Sequence, residues 1–318
     1  MSRCRVHKGL VVAGLALLGL LTPAVSATTI TLGAAANYAI LAGPYVNQLV
    51  LNSSDTVNGN VAVGTHGSIL WNGPKITGNV YEASGVSGTN SAHVSGTTTT
   101  NYSLNTAVTN AQSAESSAAA LATTTSVSGG AISITGSSQN LTVNATGAQT
   151  VLDVSSIFIN GGNLTLHGTS SDVFIINVTG RGGIMVEGNA NIALTGGLTA
   201  YNVLFNVEAT NATVDLQASS SSVFNGTILA LNSGATLQTE TLNGAIIAAF
   251  GTSSTSYGIT SNGPFTINYE GFGETPVPEP GTFTLFAVGV GLLLAARNRK
   301  SNAGLSACFF SSLRKEQA

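Results

Sequence analysis

The chain is 318 residues long, with 10 Lys and Arg against 13 Asp and Glu, and it is 43% hydrophobic but only 7% charged. Between Thr28 and Pro276 the only bases are Lys75 and Arg181, set against eleven carboxylates for a formal charge of −9; this excludes nucleic acid and anionic membrane surfaces, which need Lys and Arg against phosphate. Cys4 and Cys308 are the only cysteines and lie in the two ends, so neither a disulfide nor a thiolate metal site can hold the body together, and low charge with ample apolar content argues for a folded domain.

Residues 1–27 read as a secretory signal peptide. Arg3, Arg5 and Lys8 precede an apolar stretch from Gly9 to Leu21, followed by Pro23 and small residues. Val25 and Ala27 stand where a signal peptidase reads, which places cleavage after Ala27. An uncleaved anchor would need a longer apolar run.

The body, residues 28–272, is a series of short β-prone runs such as "NLTVNATG", "SIFINGGNLTLHG" and "DVFIINVTG", separated by Gly, Asn and Ser. Alternation at Leu164/Leu166 and Val214/Leu216 points one apolar row inward and one polar row outward. Turn signals recur about every 8 to 12 residues, the spacing of an all-β architecture. A sandwich and a solenoid both fit; the 6% aromatic content and the wealth of Asn and Ser for corner ladders favour a β-solenoid. One segment breaks the pattern. Asn105 to Thr125 lacks Gly and Pro, and Ala107, Ala111, Ala114, Ala118 and Leu121 form one stripe, which predicts a single helix over about 105–125 that lies flush along a sheet.

At the C-terminus the apolar run Thr282–Ala296 has 15 residues, so as a helix it would cover ~22 Å of a ~30 Å hydrocarbon core. Arg297, Arg299 and Lys300 follow and should face the cytoplasm, with the body across the membrane. The order of features, Val277, Pro278, Glu279, Pro280 and Gly281, then the apolar run, then the basic cluster, resembles the PEP-CTERM sorting signal of bacterial exoproteins. That resemblance implies signal peptidase and an exosortase as export partners. It also implies a transient transmembrane hold within residues 273–300 and release to the cell envelope or exterior. Residues 301–318 run on as a cytoplasmic extension, where such signals usually stop. The S-x-x-K spacing at Ser312–Lys315 falls there, outside any folded domain.

The body itself resembles the bacterial ice-binding domain family through "LGAAANYAILAG" at Leu32–Gly43, "VNGNVAVG" at Val57–Gly64, "ITGNVY" at Ile76–Tyr81, and "LNGAIIA" at Leu242–Ala248. Its later half is also similar to the choice-of-anchor A domain of sorted exoproteins. The first resemblance implies a discontinuous right-handed β-solenoid with one long helix packed alongside. An ice-binding face would carry regularly spaced Thr, Ser or Ala. Thr142, Thr165 and Thr266 each offer one outward Thr, but no Thr-x-Thr series recurs at a coil-like interval in the sequence.

Solenoids also carry glycosidases and lyases, whose chemistry needs two convergent carboxylates. Asp153 with Asp172 and Glu187 with Glu208 are the candidate pairs, though solubilising charge is the simpler role for scattered carboxylates. Arg181 stands alone, whereas lyase chemistry on acidic sugars wants a base at the substrate carboxylate. His66, His93 and His167 lack zinc-ligand spacing, and neither the EF-hand loop nor a G-G-x-G-x-D repeat is present, so no metal or cofactor is assigned. Trp71 could stack on a sugar but reads more simply as packed near a turn. The expectation is an exported, non-catalytic protein of the cell surface or matrix, with matrix polysaccharide as partner. An ice surface is the alternative and a carbohydrate-active enzyme the third reading.

Overall fold

The computed structural model describes residues 29–238, 240–252 and 257–273. Its strands are short and every pairing between them is parallel. Parallel neighbours cannot be joined by tight hairpins, so an antiparallel sandwich is ruled out for these residues. Each circuit of the chain lays down three strands in turn, for example Val203–Val207, Val214–Ala218 and Val223–Asn225, and the next circuit repeats them as Thr227–Ala230, Ala235–Leu237 and Thr241–Gly244. Strand on strand, the circuits pair in register. The result is a three-faced, β-solenoid-like body. In two circuits the first and second faces share one continuous strand, Gln149–Asn160 and Val173–Gly188, and the register slips where these turn the corner between Val154 and Ser156.

The circuits do not stack in chain order. Ile40–Ala42 pairs on one side with Val61–Val63, the next circuit, and on the other with Ile246–Ala248, the last. Gln48–Asn52 and Thr56–Asn58 repeat that junction on the other two faces, against Gly258–Ser261 and Thr266–Tyr269. A break in chain order needs a return path. The helix Asn105–Ala119 supplies it: its 15 residues reach ~22 Å, about four to five strand spacings of ~4.8 Å.

Two cores follow from this arrangement. The solenoid interior is filled by inward side chains of all three faces, among them Ile40, Val61, Phe174, Phe205, Trp71 and Ile267, all fully buried. A second core lies between the first face and the helix, where Leu41, Val151, Ile175, Leu204, Leu229 and Ile247 meet Ala107, Ala111, Ala114 and Ala118. First-face strands are therefore buried on both sides and read as continuous apolar runs, "ILA", "VAV" and "IIA". Second- and third-face strands alternate, as in "QLVLN" and "NLTLH". Alanine suits the helix contact because a short side chain lets the helix backbone approach the sheet. The helix stops at Ala119, short of the expected 125. The β-branched run Thr123–Thr125 is drawn into the first face instead: Thr124 N–H bonds Val151 O at 3.0 Å, and Thr125 bridges Leu152. Among the described residues no helix is long and apolar enough to cross a membrane, and Thr282–Ala296 lies outside them.

Candidate functional site

The third face carries the most regular outward surface. Its register places Val223, Thr241, Thr266, Thr56, Lys75 and His93 in one row across neighbouring strands. Two residues along, on the same side of the pleat, a second row holds Asn225, Asn243, Asn268 and Asn58. The residues between them, Phe224, Leu242, Ile267 and Val57, are buried in the interior. Three strands thus share the motif Thr-apolar-Asn at rungs of ~4.8 Å.

Hydrogen bonds lock the Asn row. Asn58 Nδ2 donates to Asn268 Oδ1, Asn268 Nδ2 to Asn243 Oδ1, and Asn243 Nδ2 to Asn225 Oδ1, each at 2.9 Å. Asn225 Nδ2 ends the ladder on Ile192 O at 2.7 Å. A second ladder on the same face joins Asn191, Asn163 and Asn140 at 3.0 and 2.8 Å, flanked by the row Thr142, Thr165 and Ala193. The ladders tie each amide to its neighbours, and the rows of this face carry no ionisable side chain apart from Lys75 and His93 at its edge and His167 between Asn144 and Thr195. The second face is less regular: its central outward row mixes Phe158, Met185, Asp215, Thr236, Thr260, Val50 and Leu70.

Carboxylates collect elsewhere. Under the C-terminal half of the helix Asp153, Asn177 and Asn206 fall in one row, with Glu115 and Glu208 beside it. Burial, and then the charge of Glu208, push Glu115 up to about 7, while the bond from Asn232 opposes the rise. Burial and then Asp153 raise Glu208. Beneath the third face Glu240 is pushed up to about 8 by burial; its oxygens meet no partner of normal hydrogen-bond geometry, although the Ala218 N–H opposes the rise. Burial also raises Asp55, against bonds from Asn52, Ser261 and Phe265.

With this geometry in place, a family model described as an ice-binding-like adhesive domain matches residues 14–259. The chain belongs to this family. A PEP-CTERM protein-sorting motif matches residues 276–300 and marks the chain for exosortase-dependent export. Among solved structures, an ice-binding protein from the Antarctic ascomycete Antarctomyces psychrotrophicus is 21% identical over 77% of this chain and 98% of its own, with a TM-score of 0.51. One from an Arctic yeast is 20% identical over 80% and 98%, also at 0.51. One from an Antarctic bacterium of the Flavobacteriaceae is 20% identical over 77% of this chain and 49% of its own, at 0.50. At these identities the likeness establishes the shared fold. No curated protein matches in sequence.

Within this ice-binding-like domain the residues singled out by sequence fall as follows. Asp153 bonds Thr123 and Asn177, and Asp172 closes its own turn by accepting from Thr169 N at 2.7 Å, so each is occupied locally. Glu187 sits on the second face with Asn160, whereas Glu208 lies on the helix side; the second pair is not brought together. The three histidines are dispersed: His66 stacks on Tyr45 at 5.1 Å, His93 ends the third-face row, and His167 bonds Thr195 at 3.0 Å. Trp71 is packed in the interior. Ala27, Val277, Pro278, Glu279, Pro280, Gly281, Arg297, Arg299 and Lys300 lie outside the described residues. The aligned Thr row was missed in sequence. The available signal was the triplet Thr-apolar-Asn, which occurs at Thr56, Thr142, Thr241 and Thr266.

Proposed function

We propose that this protein is an exported, non-catalytic adhesive module of the cell surface or matrix, and that the third face is its contact surface. The observation that carries the reading is the Thr241–Thr266–Thr56 row backed by a hydrogen-bonded Asn ladder. Hydroxyls and amides at fixed spacing on a rigid, uncharged sheet suit an extended repetitive ligand, since little conformational entropy is lost on contact. A matrix polysaccharide is the favoured partner. Ice is the second reading, favoured by the same Thr regularity and by the ice-binding solved structures that share the fold. The candidate carboxylate pairs are occupied locally or separated, which supports a non-catalytic role.

On this reading the signal peptide is removed after Ala27, and the coils of residues 28–272 wind to the right, as parallel crossovers do in ~98% of cases. The exosortase reads Val277–Gly281 while Thr282–Ala296 holds the chain in the inner membrane, with Arg297, Arg299, Lys300 and residues 301–318 on the cytoplasmic side. The test uses the protein recovered from the cell exterior. Mass spectrometry is expected to find Thr28 first and the basic cluster absent. Affinity electrophoresis in matrix polysaccharide is expected to retard the wild type but not Thr266→Tyr, which caps the row with a bulky ring. Thermal hysteresis and recrystallisation inhibition decide between polysaccharide and ice. Wild-type binding by Thr266→Tyr in every assay would sink the third face as the contact surface.

A further inference from the structure

The helix packs on the first face, whereas the outward side chains of the second face stay accessible. The central outward row of that second face crosses nine strands and is ordered by chemistry about its middle member, Thr236. On one side stand Thr260, then Val50 and Leu70, then Thr89. On the other stand Asp215, then Met185 and Phe158, then Ser133. Counted outward from Thr236, each arm is one polar residue, two apolar residues and one hydroxyl. None of the nine is buried, so two apolar pairs stand on the surface at equal distances from the centre. The next outward row, two residues along on the same side of the pleat, places Asn52 and Asn72 on the first arm where Glu187 and Asn160 stand on the second. Such a palindrome is what a two-fold interface needs, because one patch must match its own reversed copy.

We propose that the second face is the interface of a dimer of this chain, in which a second copy lies face to face about a two-fold axis that runs along the Thr236 strand and reverses the direction of stacking. This operation sets Val50 and Leu70 of one copy against Met185 and Phe158 of the other, twice over. Thr260 meets Asp215 and Asn52 meets Glu187, so each carboxylate faces a donor. Asp215 accepts from Gln217 at 2.7 Å and keeps lone pairs for that hydroxyl. A two-fold axis along the stacking direction would instead set Asp215 against its own copy, which like-charge repulsion disfavours. Nine strands at ~4.8 Å by five residues at ~3.3 Å make a face of ~600 Å² per copy, below the ~800 Å² of a standard interface. The dimer is therefore weak and reversible, in the micromolar range. The formal charge of −9 on each body opposes association, and salt relieves that repulsion. The third face stays open on each copy, so the dimer presents two of them.

The test follows the exported protein by sedimentation velocity across the micromolar range, at low and at physiological salt. A monomer–dimer equilibrium that tightens with salt is expected. Thr236→Arg sets two guanidinium groups on the axis and should weaken the dimer at least about tenfold, with the melting of the dilute monomer unchanged. Val50→Lys and Met185→Glu should each weaken it to a similar degree. Combined in one chain they should restore it, because each new lysine faces a new glutamate on the other copy, and this recovery also shows that the single variants fold. A wild type that stays monomeric throughout would overturn the interface, as would an undiminished dimer in Thr236→Arg. A combined variant no tighter than the single ones would overturn the register. Loss of the dimer in Thr266→Tyr would move the contact to the third face and overturn the proposal as well.

Discussion

The first and third faces are made by the same circuits of chain, with the same parallel pairing and the same interior, yet one is sealed and the other open. The difference lies in the outward row. On the first face two outward rows, Leu41–Ile247–Leu229 and Leu204–Ile175–Val151, supply the apolar surface that the Ala-lined helix covers; on the third the corresponding positions are Thr and Asn. A coil supplies backbone pairing whatever its outward residues are. Those residues decide whether the face becomes core or surface.

The comparison can be broken most severely at the sealed face. Leu204→Ala removes a fully buried side chain and is expected to cost about 2–5 kcal/mol in urea unfolding, whereas a third-face truncation such as Thr266→Ala should stay within about 0.5 kcal/mol. Equal costs would mean that the helix contributes little to stability.

Glu240 supplies the next effect. It lies among Leu216, Leu237, Leu242, Phe265 and Ile267, with Gln238 the polar neighbour. Its folded value, about 8, lies above the ordinary 4.5, so between these values the folded state keeps a proton that the unfolded state has lost. Stability is therefore full below the unfolded value and declines as pH rises toward 8, by at most about 1.4 kcal/mol per pH unit. Glu240→Gln should flatten this slope in denaturant melts at pH 5, 6, 7 and 8. An unchanged slope would place the pH dependence in another group.

A smaller loss is expected within the open face. Asn268→Ala strands the Asn58 donor and the Asn243 acceptor, at a cost of about 1–2 kcal/mol, and should also weaken ligand retardation by loosening the Thr row. Thr266→Tyr is expected to change stability least and binding most. If Asn268→Ala destabilised the fold without touching binding, the ladder would be a structural brace only.

How far each face could be read in advance depended on the range of the interactions involved. The helix stripe was visible because residues three and four apart meet on one helix face, although its C-terminal end was not, since Thr124 and Thr125 are claimed by Val151 and Leu152 from a distant strand. Corner ladders were anticipated from the abundance of Asn. Which Asn meets which was not, because ladder partners lie 18, 25 and 210 residues apart and no fixed repeat announces them. The acidic cluster was hidden for the same reason: Glu115 and Glu208 become neighbours only once the helix is laid along the sheet.

Composition, local periodicity and motif order thus determined the β class, the Ala-striped helix, the acidic, base-poor body and the C-terminal sorting signal. Side-chain alternation is a property of adjacent residues, and that information is complete in the chain. Tertiary structure alone decided that Thr56 extends the row of Thr241 and Thr266, because the first circuit docks on the last. That docking is set by the summed pairing and burial of three faces at once, a quantity no local stretch of sequence contains.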